Sequence, residues 1–248
     1  MIYLNKKSLL ILNLILGFFS WSDISKLQVP DGFEIQEYVT EIDDARQMVE
    51  GNNYIFVGTK SAGNVYAIDK NNSNKVSVIL SGLDMPTGVA LKNGDLYIAE
   101  TDTIHLVKNI ENKLISNEQI TTEIFFSDLP RKTMWNPVKK SWHGWKWIDF
   151  GPDGALYISE GVPCNVCDEE DPRYGTILKL DENNLSIYAD GVRNSVGFDW
   201  HPVTKEMYFT DNGRDWMGDD IPPCELNRVV NAGDHFGFPF IHGKNIPD

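Results

Sequence analysis

Short runs of aromatic and β-branched residues alternate with polar turns along most of the chain, and one such run occurs four times. Each copy centres on a tyrosine next to branched aliphatic or aromatic residues, a composition typical of β-strands. The copies lie at 53–57, 95–100, 155–160 and 206–211. Because they recur at intervals of about forty to sixty residues, they indicate a repeated unit built from several strands.

Turn signals precede three of the four tyrosine strands. They lie at 92–95, 151–154 and 201–205 and contain glycine, proline or both. The runs before these turns, at 88–91, 145–150 and 196–200, are predicted first strands. Third strands follow the tyrosine strands at 65–68, 104–107, 176–180 and 226–230. No long helical periodicity is apparent after residue 22.

An antiparallel unit of this length is the pattern of a β-propeller blade, so the predicted fold class is all-β. The sequence holds about four blades, and the uneven intervals predict insertions within blades, mainly between second and third strands. A β-sandwich with accidental repetition is the alternative interpretation.

The tight turns also predict where a site would lie. Since they join first and second strands on one face of the propeller, the long loops must lie on the opposite face, where sites are usually built. Four segments distant in sequence are expected to converge there: 84–87, 141–144, 191–194 and 211–215.

The N-terminus has the pattern of an export signal. Lys6 and Lys7 precede an apolar run at 8–19, which is too short for a comfortable membrane span. We therefore predict a signal peptide at 1–22, a partial propeller domain at 23–248, and a periplasmic or secreted location. An uncleaved membrane anchor is the alternative.

The chain is strongly acidic, with 36 acidic and 22 basic residues and a formal charge of −14. Such a charge repels nucleic acid and anionic lipid, so neither is an expected partner. The acidic surplus also suits divalent cations, although most exposed carboxylates simply form a solvated surface.

The cysteines fit export as well. Cys164 and Cys167 form a C-x-x-C pair without a second pair at zinc-ligand spacing, and Asp168 follows where a haem-attachment motif has histidine. We expect a loop disulfide formed in an oxidising compartment. Cys224 is then left without a disulfide partner, and we expect it to be buried.

Three groups of residues on the predicted site face could carry chemistry. His143, between two tryptophans, is either a general base or a packed, hydrogen-bonded residue. Arg193 and Asn194 offer donors for a carboxylate or quinone oxygen, or the arginine pairs with an acidic residue. The glycine-broken acidic loop at 211–220 offers oxygen ligands for calcium, although its spacing is not that of an EF-hand.

These motifs resemble those of the glucose/sorbosone dehydrogenase family, and the similarity covers roughly residues 27 to 248. It is most specific after His143 and is closest to the sorbosone dehydrogenase-like branch. The matching segments are 142–145, 151–157, 191–202, 210–220, 225–228 and 236–239. The resemblance implies a six-bladed β-propeller, here truncated to about four blades, with pyrroloquinoline quinone (PQQ) and calcium at its central face.

The resemblance also implies roles for individual residues. His143 matches the general base and contacts the cofactor, and Arg193 and Asn194 match residues that contact the quinone. Gly213 and Arg214 match positions whose backbone carbonyls hold calcium beneath the quinone, so Arg214 is also expected beside the cofactor. Glu225 matches, more loosely, a segment associated with a second, structural calcium.

The implied reaction is oxidation of an aldose or sugar aldehyde by hydride transfer to the quinone, with His143 taking the hydroxyl proton. A separate acceptor, such as a cytochrome or a quinone, then takes the electrons. The sequence departs from the soluble glucose dehydrogenase branch at 85–87, where that branch has a glutamine, and at Arg214, where it has proline. Basic residues that clasp the quinone carboxylates later in the family have no counterpart before Asp248.

Two other functions remain open. One is a non-catalytic propeller that binds a ligand or a protein. The other is a lactonase-like hydrolase with a calcium ion held by carboxylates at the ends of equivalent strands, for which Glu100, Glu160 and Asp211 are candidates.

Overall fold

The computed structural model of the chain describes residues 26–131 and 142–248. The chain divides into two compact units, Met1–Tyr38 and Val39–Asp248. The predicted signal peptide at 1–22 lies outside the described residues. In the first unit, the described residues 26–38 are exposed and form no strand.

In the described part of the second unit, the regular secondary structure is almost entirely β-strand, arranged as four antiparallel blades. The first blade contains β1 (Ala45–Glu50), β2 (Tyr54–Thr59), β3 (Val65–Asp69) and β4 (Lys75–Leu80). The second contains β5 (Gly88–Lys92), β6 (Asp95–Ala99), β7 (Thr103–Val107) and β8 (Glu123–Ser127), with the helix α1 (Ile110–Ile115) between β7 and β8. The third contains β9 (Ile148–Phe150), β10 (Leu156–Glu160), β11 (Thr176–Asp181) and β12 (Asn184–Asp190). The fourth contains β13 (Phe198–Trp200), β14 (Met207–Asp211) and β15 (Glu225–Arg228).

Three short strands complete the unit. β16 (Asp234–His235) pairs in parallel with β12, at the outer edge of the third blade. β17 (Ile241–His242) and β18 (Ile246–Pro247) form a separate hairpin. Helix in residues 26–131 and 142–248 is confined to short pieces, none of them long and apolar enough to cross a bilayer.

The tyrosine strands of the second and third blades, β6 and β10, are continuous apolar runs because both of their faces are buried between blades. In β6, Leu96 and Ile98 pack against the first blade, while Tyr97 and Ala99 pack against the third. β10 repeats this alternation between the second and fourth blades, as the period of two in a strand requires. Three apolar clusters thus fill the three interfaces between consecutive blades.

The first strand of each blade lies at the inner edge of its sheet, and β5 contacts both β1 and β9. Gln47 on β1 connects these inner strands and is only 4% exposed. Its Oε1 accepts hydrogen bonds from the backbone N–H groups of Val89 (3.2 Å) and Ile148 (3.1 Å), and its Nε2 donates to the Ile148 carbonyl (2.7 Å). One side chain therefore links the inner strands of three blades.

The predicted all-β propeller arrangement is confirmed, as are the tyrosine strands and the strands beside them. The prediction of insertions holds for the third and fourth blades, whose second and third strands are joined by the long connections 161–175 and 212–224. It is wrong for the second blade, where residues 100–102 suffice. The widest tyrosine interval comes instead from two other long connections: residues 108–122, between the third and fourth strands of the second blade, and residues 128–147, which connect the second and third blades.

Candidate functional site

His143 is buried and held by its neighbours. It lies before β9, is 5% exposed and has a backbone φ of 53°, in the left-handed region. Its Nδ1 lies 2.8 Å from the carbonyl oxygen of Val162. Because a carbonyl can only accept, the ring must donate from Nδ1, and in the neutral ring Nε2 keeps its lone pair. The local structure therefore selects the tautomer in which Nε2 can act as a base.

The electrostatics around His143 keep the ring neutral. Burial, and secondly the positive charge of Arg193, lower the pKa of His143 to about 4. The Trp142 and Trp145 rings lie 5.2 and 5.7 Å from the imidazole, centroid to centroid. His143 is thus both packed against aromatic rings and held in the protonation state that a general base needs.

Gly161 allows three distant segments to meet at this point. A Cβ at residue 161 would lie 2.7 Å from both the Cβ and the carbonyl oxygen of His143, and 3.2 Å from Oδ1 of Asn194. Only glycine leaves room for this approach. Gly161 and Val162 follow β10 directly, and the sequence pattern did not single out either of them.

Arg193 is buried at the start of the segment that leads into β13, with a side chain 4% exposed. Its Nε donates to the carbonyl oxygen of Asn165 (2.9 Å) and its Nη2 to the same residue's Oδ1 (2.8 Å). Nη1 donates to the Asn212 carbonyl (3.1 Å), while Oδ2 of Asp215 is 3.5 Å from Nη2. The acidic partner considered from the sequence is therefore present, but the nearer acceptors are uncharged.

Asp211, the last residue of β14, fixes the backbone at Arg193 and Asn194. Its two carboxylate oxygens accept hydrogen bonds from the backbone N–H groups of Arg193 (2.9 Å) and Asn194 (2.7 Å). Burial raises the pKa of Asp211 to about 7 even though these hydrogen bonds oppose the rise. The carboxylate thus positions both residues that were predicted to contact a cofactor.

The predicted calcium residues lie in the same region. Gly213 approaches the carbonyl oxygens of Pro222 and Pro223, and a Cβ on it would lie 3.2 Å from each. The Arg214 guanidinium pairs with the Asp248 carboxylate. The Glu225 carboxylate accepts hydrogen bonds from the Gly243 backbone N–H (2.6 Å) and the Asn227 side chain (2.8 Å).

Gly213 and Glu225 line a small recess together with Arg193 and Asp211. Among the residues that the structure describes, no group of three or more histidine, cysteine, aspartate or glutamate side chains is arranged to hold a metal. Calcium bound here would therefore depend mainly on backbone carbonyl oxygens, which are ligands that this ion accepts.

A cavity of about 430 Å³ lies beside these residues, where the inner strands begin. Gln47, Thr87, Trp145, Lys146 and Asn212 contribute to its wall. Trp145 also contacts the His143 ring, and the Asn212 carbonyl accepts a hydrogen bond from Arg193. The cavity therefore adjoins the candidate base and the candidate cation, and the predicted convergence of segments on this face holds for these described residues.

The three carboxylates of the hydrolase alternative each have a separate partner. Oε2 of Glu100 lies 2.9 Å from Nε2 of His105, and Asp211 holds the backbone as described above. Glu160 forms a fully buried ion pair with Lys146, with Oε1 2.7 Å from Nζ. Burial raises the pKa of Glu160, while the Lys146 charge opposes the rise. These contacts do not assemble the three carboxylates into a common ligand set.

The cysteines agree in part with the sequence-based expectation. The predicted disulfide between Cys164 and Cys167 is present, in the long connection between β10 and β11. Cys224 is a free thiol, but it is exposed, so the expectation that it is buried is wrong. It precedes β15 directly, and the edge position of that strand leaves the thiol open to solvent.

The chain is similar in sequence to an uncharacterized protein of Borreliella burgdorferi. The two are 34% identical over 234 residues, which cover 89% of this chain and 58% of the relative. The chain therefore spans less than two thirds of the relative's length. No protein-family model matches the sequence.

Solved structures that share the fold have low sequence identity to the chain. A Carbohydrate-Active Enzymes family AA12 protein of Trichoderma reesei matches with a TM-score of 0.67 and 17% identity, over 86% of this chain and 60% of that one. The PQQ-bound aldose sugar dehydrogenase of Streptomyces coelicolor matches at 0.60 and 17%, over 85% and 66%. The PQQ domain of pyranose dehydrogenase from Coprinopsis cinerea, in its holo form, matches at 0.63 and 12%, over 87% and 58%. At such identities the matches establish the propeller fold.

Proposed function

We propose that this chain carries the catalytic face of a PQQ- and calcium-dependent sugar dehydrogenase, with His143 as the general base. The observation that carries the proposal is the buried, neutral His143, whose Nδ1–H is committed to the Val162 carbonyl beside the cationic Arg193. Two of the propellers that share its fold, the Streptomyces coelicolor and Coprinopsis cinerea structures, are PQQ-containing sugar dehydrogenases.

The residues present suit an anionic quinone. The described residues supply acceptors for four of the five guanidinium N–H donors of Arg193, which leaves one donor for a ligand oxygen. Arg193 and Asn194 would hold the quinone, with Arg214 beside it, and the backbone carbonyls of Gly213 and Arg214 would hold calcium. When bound, the quinone accepts a hydride from the substrate carbon.

The proton chemistry belongs to His143. As the hydride leaves the substrate carbon with its electron pair, Nε2 takes the proton of the hydroxyl on that carbon, and a C=O bond forms. The Val162 carbonyl stabilises the imidazolium through a hydrogen bond from Nδ1–H. The positive charge of Arg193 would offset the negative charge that develops on the ligand bound beside it. The proposed substrate is an aldose, which carries this hydroxyl as its hemiacetal, or a sugar aldehyde of the sorbosone type, which carries it as its hydrate. An external cytochrome or quinone would take the electrons.

The proposed location is the periplasm or the cell exterior. The Cys164–Cys167 disulfide supports it, because such bonds persist in oxidising compartments. Glu225 is proposed, through its hydrogen bonds from Gly243 and Asn227, to support a second, structural calcium.

The test is dye reduction by the purified chain with PQQ, calcium and a panel of aldoses. We expect turnover that needs both additions and that falls at least about a hundredfold in His143→Gln. His201→Gln is the matched control, because His201 is exposed in the tight turn on the opposite face and the substitution should leave turnover unchanged. Equal turnover in His143→Gln and the parent chain would refute the assigned base, and a folded parent chain without quinone-dependent turnover would refute the enzyme.

A further inference from the structure

The connection between β10 and β11 contains a small covalent ring. The Cys164–Cys167 disulfide closes it and encloses Asn165 and Val166. No regular strand or helix runs through residues 161–175, so ladder hydrogen bonds do not fix this backbone. Because a cross-link removes conformational freedom from the segment it closes, the disulfide limits the positions that Asn165 can take.

Asn165 makes four hydrogen bonds from this ring. Its carbonyl oxygen accepts from Nε of Arg193 (2.9 Å), and its Oδ1 accepts from Nη2 of Arg193 (2.8 Å). Its Oδ1 also accepts from the backbone N–H of Asp215 (2.8 Å), and its Nδ2 donates to the Asp215 carbonyl (3.1 Å). Since both groups that face Oδ1 are donors, the orientation of the side-chain amide is determined.

These contacts make Asn165 the main support of the Arg193 guanidinium. The two acceptors of Asn165 lie along one edge of the guanidinium and match its planar fork, whereas the Asp215 carboxylate is 3.5 Å away and 59% exposed. The same residue joins the long connection of the third blade to that of the fourth. Movement of the ring would therefore change both the direction of Arg193 and its distance from His143.

We propose that the disulfide-closed ring at 164–167 is a positioning element, and that Asn165 is the positioning residue that directs the Arg193 guanidinium toward the ligand. The role of Arg193 toward a quinone rests on the proposed function. The orientation of Arg193 by Asn165 does not, because it is a property of the free protein and can be measured without any cofactor.

The primary test is the rate at which phenylglyoxal, an arginine reagent, modifies Arg193, followed by peptide mass spectrometry. Arg46 and Arg228, whose side chains are half-exposed, serve as internal references in every sample. We expect slow modification of Arg193 in the parent chain and modification at least about tenfold faster in Asn165→Leu, which removes the side-chain acceptor. Asn165→Asp keeps the acceptor and should restore protection, which a generally loosened loop would not do.

Two controls keep the result decisive. Val166→Ala alters the same ring without touching the Arg193 contacts and should leave the modification rate unchanged. Reduction of the parent disulfide tests the ring without any substitution, and should also expose Arg193 even if Asn165→Leu fails to fold. Unchanged protection of Arg193 in folded Asn165→Leu, or in the reduced protein, would overturn the proposal.

PQQ affinity separates this inference from the proposed function. If both hold, Asn165→Leu weakens PQQ binding about tenfold or more, while Val166→Ala stays near the parent. If the parent chain binds no PQQ, the proposed function fails, and the protection of Arg193 alone still decides the positioning role.

Discussion

At the scale of single residues, the site depends on which groups are charged. His143 is neutral because it is buried beside Arg193, and it is directed because Val162 accepts its Nδ1–H. Asp211 is buried as well, and its carboxylate is held in place by hydrogen bonds from two backbone N–H groups. Histidine and arginine were identified as candidates from residue type and loop position. Val162, which accepts a hydrogen bond from His143, and Asn165, which accepts from Arg193, could not be identified from the sequence. A backbone carbonyl and a loop amide leave no distinctive sequence signal.

The lowered pKa of His143 predicts a specific dependence of stability on pH. Its folded value of about 4 lies below the ordinary 6.5, so the unfolded chain binds this proton more readily than the folded one. The resulting stabilisation is present above pH 6.5 and is lost as the pH falls through 4. Between pH 7 and pH 5, the parent chain should therefore lose about 2 kcal/mol more unfolding free energy than His143→Gln.

Urea unfolding of both proteins at the two pH values measures that difference. In the same pH range, nitrogen NMR of the imidazole should show a neutral ring protonated at Nδ1. Parallel pH profiles for the two proteins, or a ring that titrates near 6.5, would contradict the environment described for His143.

At the scale of elements, burial decided which strands could be predicted. β6 and β10 are buried on both faces and read as continuous apolar runs, so the pattern identified them. The outer strands β4, β8 and β12 were missed because they carry many exposed or half-exposed residues. β1 was also missed, since its burial is largely confined to Gln47, a polar residue. The short helix α1 falls within the second blade and has no amphipathic period long enough to detect.

Gln47 makes β1 important for stability, because its side chain is hydrogen-bonded to the inner strands of two other blades. Gln47→Leu would remove three buried hydrogen bonds and leave two N–H groups and one carbonyl of the neighbouring inner strands unpaired. An unpaired buried polar group costs about 1–3 kcal/mol, so we expect a loss of about 3 kcal/mol or more in unfolding free energy. Arg46→Ala, which changes the adjacent exposed side chain, should cost less than about 0.5 kcal/mol. Equal urea midpoints for the two variants would show that the inner strands do not need this link.

At the scale of the whole molecule, the repeat predicted more than the strands themselves. The tight turns between first and second strands predicted a common face for the long connections. The segments around Thr87, His143, Arg193 and Asp211 do meet on that face. What the repeat could not supply is the path of residues 161–175 and 212–224, because irregular connections follow no periodicity. Asn165 and Gly161, both in the first of these connections, therefore emerged only from the structure.

The proposed function requires that this face bind PQQ through Arg193 beside His143. The most direct measurement is a PQQ titration of the purified chain in the presence of calcium, followed by the fluorescence of tryptophans such as Trp142 and Trp145 near the site. We predict saturable quenching with one quinone per chain, unchanged in His201→Gln and weakened at least about tenfold in Arg193→Met. Folded protein that shows no saturable quenching would refute PQQ binding at this face, and equal PQQ affinity after Arg193→Met would refute the role of Arg193 in that binding.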